Sequence, residues 1–66
     1  MASQKKINDP KYNDPQWRVA FENACDYLYY GLGRASWMAQ GHNEGLSDED
    51  SKTVWHEAFM YMAEAE

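Results

Sequence analysis

The chain has 66 residues, a formal net charge of −5 and a single cysteine, Cys25. So short a chain forms one domain at most and buries only about 60% of the surface that its unfolded form exposes. An internal disulfide is excluded, and no segment has the pattern of a signal peptide or of a membrane span. We therefore expect a cytoplasmic protein, acting in the host cytoplasm if it is viral, that gains stability by assembling with another chain.

The acidic charge is concentrated in the second half of the chain. Residues 1–40 carry four acidic and five basic side chains, whereas residues 41–66 carry seven acidic side chains against one basic side chain, Lys52. The second half should be repelled by nucleic acid and by anionic membranes, and attracted to basic protein surfaces. We therefore expect a protein partner with a basic surface, and no direct contact with nucleic acid or membrane.

The first 13 residues are polar and predict a flexible arm that precedes a single helical domain over residues 14–66. Two similar tripeptides, Asn8-Asp9-Pro10 and Asn13-Asp14-Pro15, favour turns because Asn and Asp side chains bond to nearby backbone groups. The second tripeptide also predicts the start of a helix. Asp14 is a suitable N-cap residue, and Pro15 suits the first helical position, where a missing N–H has no consequence.

A helical pattern extends from Pro15 to Gln40 and is followed by Gly41, a residue that often ends helices. Gly31 and Gly33 interrupt it, and each costs about 1 kcal/mol relative to alanine inside a helix. We expect one helix over about residues 15–40 that is continuous or kinked at these glycines. The alternative is a break that separates two helices.

The predicted first helix has two apolar sides. At about 100° per residue, Val19, Tyr30 and Trp37 lie nearly opposite the main apolar stripe. One partner helix can cover only one side, so we predict that these three residues form an exposed aromatic interaction face. The alternative is that the arm carrying Tyr12 folds back over them. The main stripe consists of Trp17, Ala20, Phe21, Ala24, Leu28, Leu32, Ala35 and Ala39.

A second helix is predicted over residues 48–65, after a polar loop over residues 41–46. Ser47 is suited to cap it, and the acidic residues that follow are favoured by the partial positive charge of a helix start. Its apolar face should pack against the main stripe of the first helix. The predicted core consists of Trp17, Phe21 and Leu28 from the first helix and Trp55, Phe59 and Met62 from the second.

The sequence contains no pattern that is typical of catalysis or of metal binding. His42, His56 and Cys25 lack the close ligand spacings of zinc sites. The three acidic residues at the start of the second helix are consecutive, whereas a calcium loop places its acids at alternate positions. Cys25 lies at the edge of the main stripe, where it should behave as a small buried hydrophobe. We therefore expect no enzymatic activity, no cofactor and no metal.

These patterns together predict an all-α fold, a helical hairpin of two amphipathic helices that assembles into a dimeric bundle. The function expected is that of a protein-binding module, an inhibitor or modulator that occupies a site on another macromolecule. Bacterial viruses use small acidic proteins in this way against host or defence machinery. The most specific form of this hypothesis is that the chain blocks a nucleic-acid-binding protein. The alternative is a structural or accessory subunit of a larger complex. The predicted acidic interaction face consists of Glu49, Asp50, Glu57 and Glu64.

Overall fold

The computed structural model describes residues 9–64, and the regular structure within that range is entirely helical. The all-helical prediction is therefore confirmed. A 3-10 helix at Pro10–Asn13 is followed by three α-helices, which are α1 at Pro15–Tyr29, α2 at Arg34–Ala39 and α3 at Asp48–Glu64.

The start of α1 agrees with the prediction from sequence. The Asp14 side chain accepts a hydrogen bond from the backbone N–H of Gln16 at 2.9 Å, and Pro15 occupies the first helical position. The carboxylate thus satisfies one of the backbone donors that every helix start leaves unpaired. Ser47 acts in the same way at α3, where its Oγ accepts from the N–H of Asp50 at 3.1 Å.

The prediction that one helix continues to Gln40 is wrong, because α1 ends at Tyr29. Gly31 adopts φ +77°, a left-handed conformation that a residue without Cβ reaches easily. The N–H of Gly31 then donates to the carbonyl of Leu28, and the N–H of Leu32 donates to the carbonyl of Tyr27 at 2.8 Å. These bonds close the end of the helix in the manner of a glycine C-cap.

The break changes the position of Trp37, which the sequence pattern placed on an exposed face. The side chain is fully buried, with 0% exposure, and its ring centroid lies 5.1 Å from that of Trp55. The prediction was wrong because it carried the register of α1 past Gly31 into α2. Val19 and Tyr30 are exposed as expected. Because Trp37 is buried, the three residues do not form a common exposed face.

The 3-10 helix corrects a second prediction, that of a flexible arm. Tyr12 is buried, and its ring packs against Phe21 at a centroid distance of 4.9 Å and against Trp17 at 6.2 Å. The arm does fold back, but over the main stripe rather than over Tyr30 and Trp37. Residues 1–8 of the predicted arm lie outside the described residues.

The loop between α2 and α3 contains a buried polar network. Asn43 Nδ2 donates to Ser51 Oγ at 2.8 Å, and the Ser51 hydroxyl donates to the carbonyl of Leu46 at 3.3 Å. Both polar side chains are buried, and their mutual bond satisfies groups that would otherwise destabilise the fold. The network fixes the entry of the chain into α3.

The core lies where α1, α2, α3 and the 3-10 helix meet. Of the predicted core residues, Phe21 is buried, and Trp17, Leu28 and Trp55 are partly buried against the core. Met62 is partly buried as well. The prediction for Phe59 is wrong, since 52% of this side chain is exposed. The buried hydrophobic residues are Tyr12, Ala20, Phe21, Ala24, Trp37, Leu46, Val54 and Ala58.

The C-terminal ends of α1 and α3 lie side by side. Leu28 and Tyr29, at the end of α1, line a groove together with Met62 and Ala63, at the end of α3. A two-helix hairpin would instead place the end of one helix beside the start of the other. The hairpin prediction is therefore wrong, because the chain returns through α2 and the following loop before α3 begins.

Trp37 should be the most sensitive core position. We expect Trp37→Ala to lower the free energy of unfolding by about 3 to 5 kcal/mol, because truncating a buried Trp leaves a large cavity. Trp37→Phe should have a smaller effect, because it keeps most of the ring volume and removes an indole N–H that has no hydrogen-bond partner among residues 9–64. Urea unfolding followed by circular dichroism measures both effects.

The matched control is Tyr30→Ala, because this side chain is 72% exposed. Its effect on the free energy of unfolding should stay within about 0.5 kcal/mol. An unfolding midpoint for Trp37→Ala equal to that of the unchanged chain would contradict the position assigned to α2.

Candidate functional site

Three depressions on the described surface differ in their chemistry. One, of about 460 Å³, lies between the 3-10 helix, α1 and Tyr61, and its lining includes the charged residues Arg18, Glu22 and Asp26. A shallow one beside α2 is lined by Arg34, Ala35, Met38, Ala39 and Trp55. The third, of about 360 Å³, is lined only by apolar and aromatic residues: Leu28, Tyr29, Phe59, Met62 and Ala63. We call this third depression the terminal groove.

The terminal groove has the properties of a contact surface. Tyr29 is 73% exposed and Phe59 52% exposed, although both are large aromatic side chains. Tyr30, also exposed, extends the aromatic surface, since its ring lies 5.1 Å from that of Tyr29 in an edge-to-face arrangement. Exposed apolar patches of this kind mark interaction sites more often than isolated exposed side chains do.

Two acidic residues lie near the ends of the helices that form the terminal groove. Neither α1 nor α3 has a basic residue in its last turn. Asp26 lies one turn before Tyr29 on α1, and Glu64 is the last residue of α3. Neither acidic residue lines the terminal groove, and Asp26 lines the first depression instead.

The residues of the predicted acidic face have different roles in the structure. Glu57 is engaged within the chain, because Oε1 accepts from the Tyr12 hydroxyl at 2.8 Å and Oε2 accepts from Lys11 Nζ at 3.0 Å. Glu49 and Asp50 belong to the first turn of α3, at the opposite end of that helix from Glu64. The four carboxylates therefore do not form one continuous surface.

The contact between the 3-10 helix and Glu57 is an internal anchor, and the pKa values reflect it. Burial, followed by the bond to Glu57, raises the pKa of Tyr12 well above its usual range. The hydrogen bond from Lys11 lowers the pKa of the Asp9 carboxyl. Burial opposes the charge of Lys11, but its bonds to Asp9 and Glu57 outweigh burial and raise its pKa.

Cys25 has the environment of an unreactive thiol. Burial, together with the charges of Asp26 and Glu22, raises its pKa to about 11. A thiol with so high a pKa is protonated near neutral pH, and the thiolate is the nucleophilic form. The residues from 9 to 64 also hold no group of three His, Cys, Asp or Glu side chains that could bind a metal ion.

Within the described range, no helix combines the length and the apolar character needed to cross a membrane. Comparison of the chain with protein-family models, with curated proteins and with solved structures finds no match.

The terminal groove was not predicted from the sequence. The sequence pattern places Phe59, Met62 and Leu28 in the core, and it relates Tyr29 only to the predicted aromatic face of Tyr30 and Trp37. The signal that could have revealed the groove is Gly31, since ending α1 there leaves the last turn of the helix without a continuation to cover it.

The internal anchor generates a prediction on stability. Tyr12→Phe should lower the free energy of unfolding by about 1.5 to 3 kcal/mol, because it removes a hydrogen bond to a charged group and keeps the ring packing. In a double-mutant cycle with Glu57→Gln, the two effects should be less than additive, since both substitutions act on one bond. Urea unfolding provides the four free energies.

Tyr29→Phe is the matched control, because it removes a hydroxyl from an exposed ring. The change in its free energy of unfolding should stay within about 0.5 kcal/mol. Equal effects of the two Tyr→Phe substitutions would show that the anchor adds nothing to stability.

The raised pKa of Cys25 generates a prediction on pH dependence. In the unfolded chain the thiol should ionise near its ordinary value of 9.0, and in the native chain near 11. Between these values the unfolded state loses the proton first, so this group makes the native state less stable as pH rises. The rate of alkylation of Cys25 by iodoacetamide is measured against pH. Without urea it reports the pKa of the thiol in the native chain, and with urea it reports the pKa in the unfolded chain. A native profile centred near pH 9 would contradict the burial of the thiol.

Proposed function

We propose that this chain is a small acidic protein-binding module that docks on another macromolecule through the terminal groove. The observation that supports the proposal is the exposure of Tyr29, Tyr30 and Phe59 around an apolar depression. Aromatic side chains supply much of the energy of protein interfaces when a partner removes them from water.

The size of the aromatic surface supports the same proposal. Aromatic side chains bury about 150 to 250 Å² each, so the exposed parts of these three amount to roughly 400 Å². A specific interface covers about 800 Å² on each partner, with a polar border around an apolar centre. The terminal groove would supply the apolar centre of such an interface.

The mode of action that we propose is occupation of a site, so that the module acts as an inhibitor or modulator of its partner. The acidic start of α3 and the net charge of −5 favour a partner with a basic surface, and a nucleic-acid-binding protein has such a surface. Inhibition of host or defence machinery by a protein of a bacterial virus is the setting that we propose.

A structural or accessory subunit is the second candidate, and the small core favours it. Eight hydrophobic residues are buried within the described range, which is a small interior for an independent domain. A permanent partner would add buried area at the terminal groove. The two functions differ in effect, because an inhibitor added in excess lowers the activity of its partner whereas an accessory subunit maintains it.

Self-association is a further arrangement that the exposed aromatic surface allows. The dimer expected from the sequence relied on Val19, Tyr30 and Trp37, and the burial of Trp37 removes the centre of that surface. A dimer would therefore use the terminal groove. Sedimentation equilibrium of the unchanged chain and of Phe59→Ser distinguishes this arrangement from a monomer.

The docking surface can be tested with two matched substitutions. Phe59→Ser removes an apolar side chain from the terminal groove, whereas Val19→Ser removes an exposed apolar side chain from the first half of α1. We expect the tagged chain to recover a defined partner from its native cell. Phe59→Ser should weaken the interaction at least about tenfold, and Val19→Ser should leave it unchanged.

Circular dichroism must show that both variants keep the helical content of the unchanged chain. Recovery of the same partner with equal affinity by Phe59→Ser would exclude the terminal groove as the docking surface. Addition of the chain to the isolated partner then separates the inhibitor from the accessory subunit.

A further inference from the structure

The 3-10 helix at Pro10–Asn13 covers an aromatic surface and is held there by few contacts. We propose that this segment is a lid that opens as a unit while α1, α2 and α3 stay folded, and that Glu57 is the side chain that holds it closed. The closed lid is an autoinhibitory contact, because it keeps the surface beneath Tyr12 from meeting other molecules. None of its residues lines the terminal groove, so its opening does not depend on the docking function proposed above.

The surface beneath the lid is aromatic. Tyr12 is 6% exposed, and its ring packs against Phe21 at a centroid distance of 4.9 Å and against Trp17 at 6.2 Å. Phe21 in turn lies 5.4 Å from Tyr61 of α3 in an edge-to-face arrangement. Tyr12, Phe21 and Tyr61 also line the depression of about 460 Å³ beside the lid. Opening of the lid would therefore add the space that Tyr12 fills to this depression and expose one continuous aromatic cleft.

A single carboxylate holds the lid to α3. The Tyr12 hydroxyl donates to Oε1 of Glu57 at 2.8 Å, and Lys11 Nζ donates to Oε2 of the same side chain at 3.0 Å. Within residues 9–64 the backbone bonds of the lid stay local, as in the bond from the N–H of Tyr12 to the carbonyl of Asp9 at 3.0 Å. A four-residue 3-10 helix has poor hydrogen-bond geometry and little stability of its own. Disengagement of Glu57 would therefore release both side chains of the lid together.

The lid can move without unwinding α1, because the two segments are separate at Asp14. This residue is extended, with φ −76° and ψ 124°, and Pro15 disfavours a helical conformation at the residue before it. The capping bond from Gln16 to Asp14 does not involve the lid. The other packing is independent as well, since α1 and α3 contact each other directly and Trp37 packs against Trp55. The three α-helices thus keep their own contacts when the lid leaves.

Amide hydrogen exchange of the full 15N-labelled chain tests whether the lid opens alone. The amide of Tyr12 reports opening of the lid. The amides of Ala24 and Ala58, two residues of α1 and α3 with 0% exposure, report loss of the helices. We expect the opening constant of the lid to be at least about tenfold larger than that of the helices. It should also depend less on urea, because the urea dependence scales with the surface that opening exposes.

A matched pair of substitutions on α3 tests the role of Glu57. Glu57→Gln removes the charge that two donors share, so it should raise the opening constant of the lid at least about tenfold. Glu49→Gln is the control. It changes the net charge equally, but it lies eight residues earlier on α3, about 12 Å along the helix. This control should leave the opening constant of the lid unchanged.

Three results would overturn the inference. Equal opening constants and equal urea dependence for the amides of the lid and of the helices would show that the lid opens only when the whole chain unfolds. An unprotected amide at Tyr12 in the unchanged chain would show that the lid is not closed. Both of these measurements use the unchanged chain, so they decide the question even where a variant fails to fold. Equal effects of Glu57→Gln and Glu49→Gln would show that Glu57 does not hold the lid.

Discussion

The left-handed conformation of Gly31 is the constraint on which the arrangement of the helices depends. It ends α1 at Tyr29 and frees the chain to turn, so that α2 approaches from a different direction. Trp37 then enters the core beside Trp55, and Tyr29 and Tyr30 are left at an open helix end. A side chain at position 31 would meet no neighbouring atom, so the requirement for glycine is conformational rather than steric.

The parts of the fold that could be predicted from sequence are those that local chemistry determines. Asp14 and Pro15 begin α1, and Ser47 caps α3, because capping depends on a few adjacent residues. The periodic pattern also identified Phe21 as a core residue. These predictions needed no knowledge of how the helices are arranged.

The predictions that failed depended on a register carried across Gly31. Helical periodicity assigns a residue to a face only while the helix continues, so Trp37 was placed on the wrong side. The assignment of Phe59 failed for a related reason, since the two-helix hairpin assumed a partner helix over a position that α1 does not cover. Gly31 indicates where α1 ends, but the terminal groove as a whole could not be predicted because it forms where two distant segments lie side by side. The sequence of each segment gives no indication that the other segment lies beside it.

The anchor between Tyr12 and Glu57 has a consequence for the kinetics of folding. Its two residues are 45 positions apart in the chain, so the bond forms only after a long segment has been brought together. If the bond forms after the transition state, its loss mainly accelerates unfolding. The anchor would therefore slow unfolding. It would lengthen the lifetime of the native state while leaving the rate at which the chain folds almost unchanged.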